Sequence, residues 1–157
     1  MKYYLDTVFN GFLGELISLA MVAEDGRELY LSNIDRLENN VDWVRENVVP
    51  IIFAPGAEPI PSNLEQISHQ IGSFLAHDSR PHIVVDWPDD IKYLCEAVIT
   101  GPGEMIAVPR MQFELIRIDA YPTKLPGAVQ HNALWDARAL RHAIERAERH
   151  FDKWQTA

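Results

Sequence analysis

Three places in this 157-residue chain carry side chains that can do chemistry together. Asp6 sits inside an apolar, β-prone run (residues 2–9, KYYLDTVF), where a carboxylate is costly unless it is paired or bound to a metal. Asp86, Asp89 and Asp90 follow the apolar run His82-Ile83-Val84-Val85. They lie where a strand passes into a helix, the end of an α/β sheet that usually meets the ligand. His131 and Asp136 bracket the start of the last helical segment. Each has an ordinary alternative: Asp6 at a strand end facing water, first-turn aspartates favoured by the helix dipole, and a histidine on the surface beside a helix cap. Taken together they suggest more. Carboxylates from these places can hold two divalent cations roughly 3.5–4 Å apart, which stabilise the attacking and leaving oxygens of a phosphodiester. A nearby histidine can take the proton of the attacking water.

The elements that must position these groups are legible in outline. Residues 2–9, 15–23 and 28–34 read as three strands of an antiparallel meander, with Glu24-Asp25-Gly26-Arg27 as the tight turn before the third. Val41, Val44 and Val48 share one face of a helix over 40–49 that Pro50 ends, and 53–61, with its three prolines, reads as a loop. Ser62 as N-cap and Glu65 as its capping-box partner open a helix that buries Leu64, Ile67, Ile71, Phe74 and Leu75. His82–Val85 lacks alternation and reads as a buried strand. Pro88 in a first turn starts a helix to about Ile99, which Gly101-Pro102-Gly103 ends. Phe113 to Ile118 is a further strand, and Asn132 caps a final helix to about Lys153. Strands alternating with helices after the meander predict parallel pairing in that half and an α/β fold with a mixed sheet.

Composition bounds the function. A net charge of −9 disfavours a protein that grips nucleic acid by broad phosphate neutralisation, though not one that handles it through bound cations. The acidity is uneven, with −10 over residues 1–130 and +1 over 131–157. One cysteine rules out a disulfide within the chain and fits a reducing, cytoplasmic setting. No apolar run approaches the ~20 residues of a membrane span, and Asp6 comes too early for a signal peptide.

The order of these motifs resembles the DEDDh class of 3′-5′ exonucleases, which have a ribonuclease H-like fold. Within that class it is similar to the small exoribonucleases called RNase AS. The matching stretches are Tyr4-Leu5-Asp6-Thr7, Glu15-Leu16-Ile17-Ser18, Val22 to Glu28, Trp43-Val44-Arg45, Asp90 with Leu94-Cys95 behind it, and His131-Asn132-Ala133-Leu134-Trp135-Asp136-Ala137-Arg138. The resemblance implies a ribonuclease H-like sheet of five to six strands flanked by helices, in one domain over residues 1–157. It implies Asp6, Asp90 and Asp136 as ligands of Mg²⁺ or Mn²⁺ and as catalytic residues, with His131 as general base. It selects Asp90 among the three aspartates by the Leu-Cys spacing; the residues alone leave all three open. It further implies an RNA 3′ end as substrate, adenylate preference and a homodimer.

One position departs. The class carries Asp-x-Glu on its first strand, two residues apart and therefore on one face; here the second position is Val8. The departure predicts a weakened second metal and impaired catalysis, and it keeps open a catalytically degenerate nucleic-acid-binding domain. A 3′-5′ exodeoxyribonuclease is the other alternative. Phe9 and Trp87, adjacent to the motifs, are candidates to stack on a terminal base. Arg138 is a candidate phosphate contact, or else pairs with Glu145 or another carboxylate.

Overall fold

The computed structural model describes residues 1–155, with side chains through Arg149. Its chain is mixed α/β, as expected. Strands β1 (Lys2–Phe9), β2 (Leu16–Ala23) and β3 (Glu28–Asn33) form the antiparallel meander. Helix α1 (Asp42–Asn47), strand β4 (Ile60–Ser62), helix α2 (Leu64–Leu75), strand β5 (His82–Val85) and helix α3 (Pro88–Ala97) follow. A short hairpin of β6 (Ile99–Gly101) and β7 (Glu104–Met105), strand β8 (Gln112–Leu115) and helix α4 (Ala133–Gln155) complete the chain. The main sheet has six strands in the order β4-β3-β2-β1-β5-β8, compatible with a ribonuclease H-like fold. β5 is parallel to β1, β8 parallel to β5 and β4 parallel to β3.

Every residue of β2 is buried, because helices cover the sheet on both faces. On one face Tyr3, Leu5, Leu19, Met21, Leu31, Ile83 and Val85 pack against Ile67, Ile71 and Leu75 of α2 and Leu94 of α3. On the other, Tyr4, Ala20, Val22 and Val84 pack against Ala133, Leu134, Ala137, Leu140 and Ile144 of α4. A smaller cluster of Ile17, Val44, Val48 and Ile52 seats α1 beside the C-terminal end of β1. Among the described residues no helix is long and apolar enough to cross a membrane.

Several boundaries differ from expectation, each for a local reason. The capping box of α2 is Asn63 with Gln66, one residue beyond Ser62 and Glu65: Asn63 Oδ1 accepts from Gln66 N at 2.9 Å and Gln66 Oε1 accepts from Asn63 N at 3.0 Å. Ser62 is engaged elsewhere, pairing with Asn33 in a parallel β3–β4 ladder inside the stretch expected to be loop. Leu64 is thereby the first helical residue and is 48% exposed rather than buried. Helix α3 stops at Ala97 because Ile99–Gly101 turns back onto Glu104–Met105, with Gly103 at φ +75°. β8 ends at Leu115, short of Ile118. Its partner β5 ends at Val85, whose carbonyl accepts the last rung from Ile116 N.

Candidate active site

The site lies at the C-terminal ends of β1 and β5, closed on one side by the start of α4 and on the other by α1. Parallel pairing explains why Asp6 and the mid-chain aspartates meet. Tyr4 is level with Val84; two residues further along, Asp6 is still in β1, paired with Ala20 of β2, while Asp86 follows the last residue of β5. Trp87 and Pro88 then turn the chain into α3, and Asp90 falls on the first turn facing β1. One carboxylate oxygen from each of Asp6, Asp86 and Asp90 lies within 4.8 Å of the others. Asp90 is held from β1: its Oδ1 accepts from Thr7 N at 2.9 Å and from Thr7 Oγ1 at 2.7 Å. Its Oδ2 is buried with no hydrogen-bond partner, although Asp90 is only 2% exposed.

Asp136 comes from the other wall. Asn132 fixes the start of α4, donating from Nδ2 to the carbonyls of Ile51 and Ile52 and accepting at Oδ1 from Trp135 N. That cap leaves His131 at φ +61°, in the left-handed region a non-glycine residue seldom adopts. The nearby His131 backbone favours the ionised Asp136 carboxylate, and the His131 ring meets the edge of Trp43 at 5.0 Å. Asp6, Asp89, His131 and Asp136 line one cleft of about 560 Å³, whose walls include Val8, Phe9, Phe12, Trp43 and Trp87.

The electrostatics of the cleft are strained. Burial pushes the Asp6 carboxyl well above the usual carboxylate range, and Asp136, Asp90 and Asp86 push it further. Burial raises Asp90 to about 7, opposed by the Thr7 hydrogen bonds and reinforced by Asp86 and Asp89. Asp136 is also raised to about 7, by burial and then by Asp86, against the nearby His131 backbone. Asp86 is raised by burial, with Arg117 the opposing charge. Like charges crowded into one cleft, with Arg117 as the cation set against them, favour a bound divalent ion. An all-carboxylate donor set suits hard ions such as Mg²⁺ or Mn²⁺, and the orphaned Asp90 Oδ2 fits such an ion. The residues present therefore fit a divalent metal.

The structure brings Asp6, His131 and Asp136 to one cleft, together with Phe9 and Trp87, and buries Asp90 beside Asp6. Trp87 is 49% exposed, donates from Nε1 to Asp89 Oδ2 at 2.8 Å and carries the Arg117 guanidinium 4.5 Å above its ring. Phe9 stacks on Tyr93 at 4.7 Å. Arg138 is placed otherwise. Its guanidinium forks onto Glu28 with two bonds of 2.7 Å and also reaches Gly56 O, so the pairing expected as its alternative is the one present. Glu145, the other candidate partner, is taken by Arg141. Val8 lies on the same face of β1 as Asp6 and packs against the Ile17, Val44, Val48 and Ile52 cluster. Sequence reasoning passed over Thr7 and Trp43. The first adjoins Asp6 and the second sits in a matched stretch, but only the fold shows what each touches.

No protein-family model matches the chain. Among curated proteins it is similar to the 3′-5′ exoribonucleases of Mycobacterium tuberculosis strains CDC 1551 / Oshkosh and ATCC 25618 / H37Rv. Each is 32% identical over 148 residues, covering 88% of this chain and 88% of the relative.

Proposed function

The chain belongs to the family of 3′-5′ exoribonucleases for which these relatives are named, and from that premise we propose that its carboxylate cleft removes nucleotides from RNA 3′ ends with the help of divalent cations. The observation that carries the reading is the buried, unpartnered Asp90 Oδ2 inside a cluster of aspartates that also faces His131. The assignment follows the DEDDh pattern and the RNase AS likeness: Asp6, Asp90 and Asp136 hold Mg²⁺ or Mn²⁺, and His131 is the general base.

Bound there, divalent ions would offset the aspartate charges and stabilise the attacking and leaving oxygens at phosphorus. The chain's own residues do the rest. His131, on its exposed and left-handed backbone position, accepts the proton as a water oxygen bonds to phosphorus. The bond from phosphorus to the 3′ oxygen breaks, leaving a nucleoside 5′-monophosphate and a shortened chain with a new 3′ hydroxyl. Phe9 and Trp87 flank the carboxylates and offer faces on which a terminal base stacks, each such contact contributing about 1–3 kcal/mol. Thr7 positions Asp90 and touches no substrate in this scheme. A cytoplasmic setting is in keeping with the single cysteine, Cys95, and the RNase AS likeness favours a homodimer.

Incubation with Mn²⁺ and a duplex bearing a 3′ RNA overhang tests the reading, using the chain and its Val8→Glu variant side by side. Release of 5′-monophosphates by both supports it. If both bind the RNA and neither releases nucleotide, the reading fails. Val8 favours one second reading, a domain of the same fold that binds RNA without cleaving it. Release by the Val8→Glu variant alone would establish that reading instead.

A further inference from the structure

We propose that Asp86, to which the family resemblance gives no role, ligates a divalent cation together with Asp6 and Asp90, supplying the carboxylate that position 8 lacks. The inference rests on the metal-dependent reading above and extends it to a residue outside the DEDDh pattern.

Three observations support it. One oxygen from each of Asp6, Asp86 and Asp90 lies within 4.8 Å of the other two, the spacing of donors around a single ion. Asp90 is nearly fully buried, and its Oδ2 finds no partner while Thr7 fixes Oδ1, so the side chain presents one prepared donor atom with nothing in the protein to receive. Asp86 is anchored through its backbone, whose carbonyl accepts from Arg117 Nη1, and one of its carboxylate oxygens stands with those of Asp6 and Asp90. Parallel pairing of β5 with β1, ending at Tyr4 and Val84, gives the reason for its reach, since the chain carries Asp86 out of β5 on the same end of the sheet as Asp6.

The neighbouring candidates are excluded by their contacts. Asp89 lines the cleft, but its Oδ2 is taken by Trp87 Nε1 and it is not in the triad. Val8 has no donor atom and is committed to the apolar cluster around Val44 and Val48. Asp136 stands on the α4 wall and, among the described residues, completes no comparable triad with these carboxylates. With Asp86 included, the triad puts three carboxylates around one ion, enough negative charge to attract Mg²⁺ or Mn²⁺ even though β1 provides only one of them.

The test is a Mn²⁺ titration of the whole chain, following free Mn²⁺ by electron paramagnetic resonance. The variants are Asp86→Asn, Asp89→Asn, Asp90→Asn and the double variant Asp86→Asn with Val8→Glu. Asp86→Asn should weaken the tightest site by about tenfold or more, Asp89→Asn should leave it unchanged, and Val8→Glu should restore affinity to the Asp86→Asn chain. Because mutation can disturb folding, the unmutated chain gives a second readout. On adding Mg²⁺, the ¹³C carboxyl resonances of Asp6, Asp86 and Asp90 should shift together while that of Asp89 stays. If Asp90→Asn abolishes binding but Asp86→Asn does not weaken it and its resonance stays put, Asp86 is no ligand and the metal-dependent reading survives. If the unmutated chain binds no Mn²⁺ at all, both fall.

Discussion

Thr7 holds Asp90 with two donors on one oxygen. Backbone N and Oγ1 reach Oδ1 at 2.9 and 2.7 Å, and Oδ2 is left bare. A strand residue adjacent to one aspartate thus orients another 83 positions later, so the two carboxylates are set by consecutive residues of β1. Thr7→Val removes the hydroxyl donor while keeping shape. It should weaken Mn²⁺ binding by about tenfold, the usual scale for losing a supporting contact to a ligand, and Thr7→Ser should restore most of it. Equal affinities for all three proteins would show that Asp90 needs no such support.

The raised carboxylates set a pH dependence. Folded Asp90 and Asp136 titrate at about 7 against an ordinary 3.8, and Asp6 also lies well above 3.8. Between those values the folded chain holds protons that the unfolded chain has released, so stability falls as pH rises through the window. The metal-free melting temperature should therefore decline on going from mildly acidic to mildly alkaline buffer, by roughly 2–4 °C for each kcal/mol lost. Mg²⁺ should reverse the loss on the alkaline side, where the carboxylates are ionised. A flat metal-free profile would contradict the crowding described for the cleft.

His131 should separate chemistry from metal binding. His131→Ala removes the proton acceptor but none of the proposed ligands, so turnover should drop by about 10²–10⁴ with Mn²⁺ affinity intact. Loss of both together would place His131 among the ligands.

Trp87→Ala should act on substrate affinity. Removing one stacking face costs about 1–3 kcal/mol, so KM for the overhang should rise with kcat little changed. A fall in kcat at constant KM would assign Trp87 to shaping the start of α3.

The Arg138–Glu28 fork is structural. Arg138→Ala and Glu28→Ala should each lower stability by up to about 1 kcal/mol, the range of partly exposed pairs, since the two side chains are 23% and 33% exposed. The double variant should cost less than the two losses added. Full additivity would mean that the pair is not coupled.

Much of this was legible in the sequence because it depends on local pattern. The meander, the buried strand at His82–Val85 and the Asn132 cap follow from alternation, apolar runs and cap chemistry. Edge pairing was not legible: β4 forms only because β3 lies beside it, and that draws Ser62 out of the cap and moves the box to Asn63. The site divides the same way. Asp6, His131 and Asp136 stood out by their places in the chain, but the residues alone left Asp86, Asp89 and Asp90 unseparated, and only the family resemblance singled out Asp90. The position of Asp86 beside Asp6 is a matter of parallel pairing between strands far apart in the chain. Sequence left open whether Arg138 meets a phosphate or which carboxylate it pairs with, because Glu28 is 110 residues away.

The most direct test of the exoribonuclease account is the product pattern on a 5′-labelled RNA with a free 3′ end. With Mn²⁺ the labelled strand should shorten one nucleotide at a time from its 3′ end, and neither a chelated sample nor Asp90→Asn should shorten it. Internal cleavage, or the same ladder from the chelated sample, would contradict the account.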